Sequence, residues 1–596
     1  MNPADLTLVE HLNRHVRARA HKPFVVLYEG ESFRVLTYGE LHARSLAWAG
    51  RLRAAAVEPG RRVVAIVLPH ALDIYPAFLG AMRAGFLPTL LAPPSPKKDP
   101  QLHWAAHRAL FERIRPAAAV AWEGCADTLA EIAAETGTPL VTPGSPRAPA
   151  EEDAQLAPGR AALLQHSSGT TGLKKGVVLS HAHLGAHADM LAQRLKLDAD
   201  SIVASWLPLY HDMGLVTGFL MPLVLGASVV TVDPFAWAAD PCSILRLADR
   251  HRATASWAPN FAFAHMARAR DPAERFDLSS LRALVSSSEP CRPETMRAFM
   301  AAFADSGLAA GALGASYAMA ETVFAVTQTP PGQPPRVLRV DPDSLERDGV
   351  VAPLAEGPAR ARAFLSCGAP LPGVRVRIEG VSGPGRTGEI LVRSRTLFAG
   401  YHAAPELDAE ALGPDGWLRT GDIGFLQDGE LYVCGRSKEL IIVHGRNLYA
   451  GDVEAVAGAV SGVKPGRAAA LGVVDEETGG EECVLMVEAQ EGALSSQAQA
   501  ELARAVRERV EAALGLHVRR VLFAPAGALV KSTSGKMSRA ENLRRLQALD
   551  DAAAAGDAPP EGEQVPLVLD RAEAEPPARG WWRRRFEGWA PRRRLE

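Results

Sequence analysis

The residues between Ser167 and Gly176 combine hydroxyl, glycine and lysine side chains in a pattern that indicates a phosphate-binding loop. Glycines let the backbone approach a ligand closely, hydroxyls and exposed N–H groups bind phosphate oxygens, and a lysine adds a positive charge. The spacing differs from GxxxxGK[ST], so the loop is not a P-loop of the Walker type. A flexible Ser/Gly surface turn is the alternative interpretation. The candidate ligand-binding residues are Ser167, Ser168, Gly169, Thr170, Thr171, Gly172 and Lys175.

Apolar segments on both sides of this loop must hold it in place. The run AALLQ (161–165) predicts a buried strand, and a second apolar run, VVL (177–179), follows the loop. Upstream, the apolar run VVAIVL (63–68) precedes an amphipathic helical stretch, IYPAFLGAMRAG (74–85), and a further apolar run, PTLLAPP (88–94). Strands and helices in alternation predict βαβ units around a largely parallel sheet.

Length, composition and charge limit the class of protein. A chain of 596 residues is too long for one core, so two or more domains are expected. Hydrophobic residues make up 47% of the chain and the mean hydropathy is -0.02, as in ordinary globular proteins. A net charge of -3 gives no whole-protein case for nucleic-acid binding.

The six cysteines and the absence of long apolar segments indicate the cellular compartment in which the protein is expected. The cysteines show no CxxC spacing, so neither a disulfide framework nor a zinc site is predicted, and buried thiols in a reducing compartment are expected. The N-terminus lacks an apolar targeting segment, and no window of 18 apolar residues occurs. We therefore expect a cytoplasmic protein.

The loop SSGTTGLKKGV resembles the nucleotide-binding signature of the adenylate-forming superfamily, which includes acyl-CoA synthetases, peptide-synthetase adenylation domains and luciferases. The family usually has a proline where this chain has Lys174, a change expected to affect loop stiffness more than phosphate contact. Further motifs occur in the family order along most of the chain. The resemblance implies ATP and Mg²⁺ as cofactors.

Two later motifs resemble the family's adenine-binding and metal-binding segments. SYAMAET (316–322) resembles YGxxE, with Ala318 at the glycine position; this implies that Tyr317 lies against adenine and that Glu321 binds Mg²⁺. SSSEP (286–290) stands where relatives have NGAEP beside the adenine, and implies contacts from Ser288 and Glu289. A surface glutamate is the alternative for Glu321.

The ribose and catalytic positions follow further along the chain. The resemblance implies that Asp422 of TGD accepts hydrogen bonds from both ribose hydroxyls and that Arg436 reaches the ribose or a phosphate. Lys438 occupies the position of the family's hinge, and Lys536 of KSTSGKMSR that of its catalytic lysine in PKTSSGKxxR. A lysine in a Ser/Gly turn carries little weight by itself; here the domain order supports the assignment.

The segment SWLPLYHDMG (205–214) resembles the fatty-acyl branch of the superfamily, in which LPxYHDMGL recurs. This implies that His211 is a catalytic-site residue beside the acyl group, although a single histidine is more often structural. No anchor for an α-amine is evident. The aromatic residues Trp257, Phe261 and Phe263 fit either walls of an acyl tunnel or a core strand and helix, with equal weight.

Between Thr327 and Ser366 lie 38 residues rich in Pro and Arg, with little periodicity. An insertion near this point resembles one in fatty acyl-AMP ligases, where it is associated with restricting the rotation that builds the CoA-using state. We therefore expect a fatty acyl-AMP ligase that passes its fatty acyl group to an acyl carrier protein on a separate chain. The alternatives are an acyl-CoA synthetase that uses CoA and a non-catalytic adenylate-binding scaffold.

The expected fold is α/β in two domains and a tail. Residues 1–437 form a large domain of βαβ sheets with a distorted barrel-like β region, and residues 438–549 form a small mobile α+β domain that carries Lys536. Residues 550–596 are expected to be a disordered tail. Its WWRRRFEGWAPRRR segment (581–594) offers the only expected membrane contact, or docks on a partner protein.

Overall fold

A computed structural model describes residues 2–55, 57–95, 100–149, 153–166, 175–354, 361–381, 385–443, 446–474, 481–490, 494–532 and 535–554. The chain divides into two compact units. The larger unit comprises Met1–Pro93, Ala106–Gly169 and Leu173–Ser437, and the smaller comprises Pro94–Ala105, Thr170–Gly172 and Lys438–Glu596.

The described helices are α1 Leu8–Arg19, α2 Tyr38–Ala54, α3 Ile74–Arg83, α4 Pro100–Ile114, α5 Ala126–Glu135, α6 His181–Leu195, α7 Asp212–Leu215, α8 Met221–Leu225, α9 Pro234–Ala239, α10 Ser243–Arg250, α11 Asn260–Ala269, α12 Pro293–Ala302, α13 Pro342–Asp348, α14 Pro405–Ala411, α15 Ala450–Gly458, α16 Ser496–Leu514 and α17 Arg539–Ala554. A π-helical turn, Val216–Leu220, joins α7 to α8.

The described strands are β1 Pro23–Glu29, β2 Ser32–Thr37, β3 Val63–Val67, β4 Leu87–Leu90, β5 Ala118–Ala121, β6 Leu140–Val141, β7 Ala161–His166, β8 Gly176–Ser180, β9 Ile202–Ser205, β10 Ser228–Val232, β11 Ala255–Ala258, β12 Ala283–Ser286, β13 Leu313–Ala318, β14 Ala325–Gln328, β15 Val337–Val340, β16 Arg362–Leu365, β17 Ala369–Pro370, β18 Arg375–Ile378, β19 Gly388–Arg393, β20 Leu418–Gln427, β21 Glu430–Arg436, β22 Leu440–Val443, β23 Arg446–Tyr449, β24 Val463–Val474, β25 Glu481–Ala489 and β26 Val518–Ala524.

The larger unit is built around a nine-stranded sheet in the order β17-β14-β13-β12-β11-β9-β10-β1-β2. Its six central strands, from β13 to β1, run parallel, and the outer strands are antiparallel. Strands such as SVVTV in β10 are buried along their whole length, as expected for parallel strands covered on both faces.

A second parallel sheet, β4-β3-β5-β6, agrees with the βαβ alternation predicted from the apolar runs at 63–68 and 88–94, and α3 lies between β3 and β4 in sequence. The predicted α/β class is confirmed. Sequence-local signals begin several of the helices: Thr7 with Glu10 and Thr37 with Glu40 form capping boxes that satisfy the first N–H groups of α1 and α2.

The 38-residue segment that the sequence presents as a loop with little periodicity is ordered over much of its described length. Strand β15 pairs with β16, and α13 lies between them. The Asp341 side chain accepts a hydrogen bond from the Ser344 N–H at the start of α13, and Gly349 ends it in the left-handed conformation. These elements are four to seven residues long, so periodicity over longer windows does not detect them.

The smaller unit has a three-stranded sheet whose two faces bury separate clusters. Because successive side chains of a strand point to opposite faces, Ala468 and Ala470 of β24 join the cluster under α15 and α16. Ala469 and Leu471 join the cluster that includes Leu546 of α17. Each face is therefore covered by helices.

Within the part of the chain that the structure describes, no helix is both long and apolar enough to span a membrane. The Arg/Trp-rich segment 581–594 lies outside the described residues.

Candidate active site

Several predicted site residues of the larger unit follow the carboxyl ends of neighbouring parallel strands. Ser288 and Glu289 come after β12, Tyr317 and Ala318 end β13, and His211 comes six residues after β9. Open parallel sheets bind ligands beyond these ends, because loops from adjacent strands meet there. The topology thus brings together motifs that are more than 100 residues apart in sequence.

The predicted phosphate-binding loop lies in sequence between β7 and β8, and these two strands pair antiparallel. Its predicted ligand residues Ser167, Ser168, Gly169, Thr170, Thr171 and Gly172 lie outside the described residues, as does Lys174. Lys175, the residue directly before β8, is described. Its ammonium nitrogen lies 4.7 Å from the centroid of the Tyr401 ring, a cation–π contact.

Tyr401 also reaches the predicted metal-binding residue. Its hydroxyl donates a hydrogen bond to Glu321 Oε1 at 2.8 Å. Burial, and then the adjacent Glu321 carboxylate, raise the pKa of Tyr401, so the hydroxyl keeps its proton and acts as a donor. Sequence reasoning missed Tyr401 because its two partners lie far away along the chain.

Tyr317, Asp422 and Arg436 form one hydrogen-bonded group. Asp422 and Arg436 are direct cross-strand partners in β20 and β21, and Arg436 Nε lies 3.2 Å from Asp422 Oδ1. The Tyr317 hydroxyl donates to Asp422 Oδ2 at 2.6 Å. Burial and the Asp422 carboxylate hold the pKa of Tyr317 well above its usual range. A carboxylate that is held by a cation and a hydroxyl remains an acceptor suited to a vicinal diol.

The predicted adenine-wall segment runs beside β13. Ser287, at the glycine position of relatives, is buried and donates through its hydroxyl to the Ser316 carbonyl at 3.2 Å. Ser288 has a φ of 68°, unusual for a residue with a side chain. The Glu289 side chain accepts a hydrogen bond from the Phe261 N–H. The side chains of Ser287 and Glu289 therefore hold this segment in place through hydrogen bonds to neighbouring backbone groups.

His211 lies at the start of α7, with Nδ1 2.6 Å from Asp212 Oδ1. The adjacent carboxylate fixes the orientation of the imidazole ring. Two of the three aromatic candidates for a tunnel wall, Trp257 and Phe263, are almost fully buried, and the Phe263 ring packs edge-on against Phe299. Phe261 is 37% exposed, so the three rings do not share one environment.

In the smaller unit, Lys536 lies in a tight turn. The Ser532 N–H donates to the Lys536 carbonyl at 2.7 Å, and Lys531 bridges to Met537. Asn542 of α17, with no exposed surface, closes the base of this turn. Its amide donates to the Val530 and Ser538 carbonyls and accepts from the Val530 N–H.

A second hydrogen-bonded group in the smaller unit, of partly buried side chains, surrounds Arg539. This guanidinium forms a two-point ion pair with Glu454 of α15, at 2.7 and 2.8 Å, and a further ion pair with Glu439. Glu439 directly follows Lys438, the predicted hinge residue. Arg539, three residues after Lys536, thus connects the lysine turn to the hinge segment.

The donor set around Glu321 fits magnesium carried by a nucleotide. Mg²⁺ is usually bound through one or two carboxylates together with phosphate oxygens and water. Over the described residues, no group of three or more His, Cys, Asp or Glu side chains could hold a metal ion. Glu321, oriented by Tyr401, offers the single carboxylate that such a site requires.

Comparisons with known proteins place the chain among related sequences. The family model described as AMP-binding enzyme matches residues 12–402. The "Putative acyl-CoA synthetase" of Caulobacter vibrioides is 33% identical, over 86% of this chain and 90% of that protein. The long-chain-fatty-acid–AMP ligase FadD26 of Mycobacterium marinum is 33% identical, over 86% of this chain and 91% of that protein.

Two further comparisons extend this picture. The medium-chain-fatty-acid–[acyl-carrier-protein] ligase JamA of Moorena producens is 30% identical, over 90% of this chain and 94% of that protein. A solved structure from a study of fatty acyl-adenylate ligases of E. coli and L. pneumophila matches with a TM-score of 0.83 and 28% identity, over 92% of this chain and 99% of that chain. The chain therefore belongs to the AMP-binding enzyme family, in agreement with the adenylate-forming superfamily that its motifs resemble.

Proposed function

We propose that this enzyme activates a long-chain fatty acid with ATP in the cytoplasm and transfers the acyl group to the phosphopantetheine thiol of a separate acyl carrier protein. In the first step, a fatty carboxylate oxygen bonds to the α-phosphorus of ATP, and the bond from that phosphorus to the bridging oxygen breaks. The products are acyl-adenylate and pyrophosphate. In the second step, the thiol sulfur attacks the acyl carbon, AMP leaves and the thiol proton goes to solvent.

Adenylation depends on positioning and charge neutralisation rather than on a protein nucleophile. Asp422, held by Tyr317 and Arg436, would bind the two ribose hydroxyls. Lys536 would neutralise charge shared by the carboxylate and the α-phosphate. Glu321 would hold Mg²⁺, which when bound screens the charge of the β- and γ-phosphates.

At the acyl end, His211 would lie beside the carboxylate of the fatty acid. Its contact with Asp212 keeps the imidazole in one orientation, so the ring can shape the entrance of the acyl site. The loop 167–176 would bind the leaving pyrophosphate, with Lys175 at its end. Ser288, Glu289 and Ala318 would line the adenine.

The β15–β16 pair of the insertion supports a carrier protein, rather than CoA, as the acceptor. Arg336 Nη1 lies 3.8 Å from Asp428 Oδ2, and Arg336 Nε lies 3.7 Å from Glu430 Oε1. The Phe364 ring packs edge-on against the Phe425 ring, with the ring centroids 5.5 Å apart. These contacts fix the insertion to the β20–β21 region of its own unit. A fixed insertion supports the proposal that rotation of the small domain about Lys438 is restricted.

The deciding experiment follows radiolabelled palmitate with ATP and Mg²⁺, and adds either CoA or a phosphopantetheinylated carrier protein. We expect acyl-adenylate to accumulate in the presence of CoA and to be consumed when the carrier protein is added. Rapid formation of acyl-CoA would instead establish the second candidate, an acyl-CoA synthetase, which the Caulobacter vibrioides relative supports by its name.

A scaffold that binds adenylates without catalysis is the third candidate. Retention of Glu321, Asp422, Arg436 and Lys536 argues against it, since a scaffold has no need of the full set. Pyrophosphate release in the first experiment would exclude it, and a lack of both adenylate and pyrophosphate across acids of several chain lengths would favour it.

A further inference from the structure

Tyr401 contacts two groups of opposite charge that have no common element in the sequence. Its hydroxyl donates to Glu321 Oε1 at 2.8 Å, and the Lys175 ammonium lies 4.7 Å from the centre of its ring. The Tyr401 side chain thus contacts a carboxylate through its hydroxyl and an ammonium through its ring.

The backbone around Tyr401 is fixed independently of these contacts. Its N–H donates to Asp408 Oδ1 at 2.7 Å, and the segment pairs with β8 through a bridge from Tyr401 to Val177. Gly400 has a φ of 135°, and a Cβ there would come within 2.7 Å of Asp408 Oδ2. The positive φ at position 400 favours glycine, and the hydrogen bond and the bridge at Tyr401 fix the backbone from which its ring extends.

From this geometry we propose that Tyr401 is a positioning residue for magnesium pyrophosphate, the product of the proposed adenylation. The inference rests on the proposed function and adds a residue that neither the motifs nor the family comparison assigns. The hydroxyl fixes the orientation of the Glu321 carboxylate toward the cation. The ring face holds the Lys175 ammonium toward the phosphate oxygens.

The two contacts act through different parts of the side chain, so substitutions can separate them. Tyr401→Phe removes the hydroxyl bond to Glu321 and keeps the ring under Lys175. Tyr401→Leu removes both. Outer-shell partners of metal ligands typically change metal affinity about 10- to 100-fold when lost. Loss of a cation–π contact weakens binding about 2- to 30-fold.

The test uses the full-length protein and inorganic pyrophosphate, titrated by calorimetry with and without Mg²⁺. Mg²⁺ is expected to increase the affinity of the protein for pyrophosphate. We expect Tyr401→Phe to raise the Mg²⁺ concentration that gives half of this increase by about 10-fold or more. The affinity for metal-free pyrophosphate should not change in this variant. We expect Tyr401→Leu to weaken metal-free binding as well. Tyr28→Phe, which removes a hydroxyl bonded to His251 in the same unit, is the matched control and should change neither quantity.

The Phe variant decides the proposal by itself, because it removes one oxygen atom and leaves the packing in place. An unchanged Mg²⁺ dependence in Tyr401→Phe would overturn the proposal, as would an equal loss of metal-free binding in the Phe and Leu variants. These titrations require no turnover. Failure of the proposed function would appear separately, as a lack of acyl-adenylate from the wild-type enzyme.

Discussion

At the scale of single residues, Lys536 is the position on which adenylation is expected to depend most. We predict that Lys536→Ala lowers the rate of acyl-adenylate formation about 10²- to 10³-fold, the scale for loss of one preorganised charge donor. Pyrophosphate release at saturating ATP and fatty acid measures this rate. Transfer from supplied acyl-adenylate to the acceptor thiol should change little, since the proposed role of Lys536 belongs to the first step. Equal loss in both steps would contradict this role.

Asn542 holds the backbone of the turn that contains Lys536 through hydrogen bonds to Val530 and Ser538. Asn542→Leu keeps the side-chain volume but leaves the Val530 N–H and two carbonyls of the turn without their amide partner. Each buried polar group left unsatisfied costs about 1–3 kcal/mol, so we expect the turn to loosen and adenylation to fall at least 10-fold.

The control for Asn542 is Gln497→Leu, which removes an exposed amide bonded to Glu501 on α16. It should leave both steps unchanged. If Asn542→Leu slows the transfer of supplied acyl-adenylate as much as it slows adenylation, the effect is general to the smaller unit, and the prediction for the lysine turn is wrong.

At the scale of elements, Arg539 connects the turn before α17 to α15 and to the segment before β22. We expect Arg539→Met to destabilise the smaller unit by about 3 kcal/mol, because the Glu454 carboxylate would remain largely buried without its cation. Hydrogen–deuterium exchange over residues 440–458 would report the loss as faster exchange.

Two further variants test the cause of that loss. Arg504→Met breaks an exposed ion pair with Glu508 and should change stability by less than about 1 kcal/mol. The double variant Arg539→Met/Glu454→Gln should recover part of the stability, because it removes the unpaired charge and keeps an acceptor for the Ala470 N–H. No recovery would mean that lost packing, rather than an uncompensated carboxylate, causes the effect.

At the scale of the whole molecule, we predict that four buried histidines of the larger unit make its stability depend on pH. Burial lowers the pKa of His187 to about 3 and those of His11, His15 and His181 to about 4. The ordinary histidine pKa is 6.5, so between pH 6.5 and about 4 the unfolded chain binds more protons than the folded chain. The stabilising contribution of the neutral rings is therefore present above pH 6.5 and is lost as the pH falls below it.

Between pH 6.5 and about 4, each histidine should add about 1.4 kcal/mol per pH unit to the rate at which the free energy of unfolding falls as the pH is lowered. His187→Gln keeps a side-chain acceptor for the Ala325 N–H and cannot be protonated, so it should lower the slope by one histidine's share. Denaturant unfolding of both proteins at several values between pH 6.5 and 4.5 measures the slopes. Equal slopes would show that His187 does not contribute.

The order of the motifs and the types of residue in them could be read from the sequence, because each motif is local. The pattern of SYAMAET, TGD and KSTSGK needs only a few consecutive residues, and alternating apolar runs suffice for the α/β class, which is confirmed. The roles proposed for Lys536, Asp422, Arg436 and Glu321 remain predictions. The short strands and helix of the insertion were missed because none is long enough for periodicity to register.

Only the tertiary structure decided which of these side chains meet. Tyr401 is 80 residues from Glu321, and Tyr317 is 105 residues from Asp422. No local pattern encodes such contacts, because they arise when strands and loops distant in sequence are paired by burial of the core. The sequence by itself therefore determined the chemistry that the chain carries. Packing determined that Tyr401, a residue outside every motif, contacts both Glu321 and Lys175, the carboxylate and the lysine that the proposed chemistry would use.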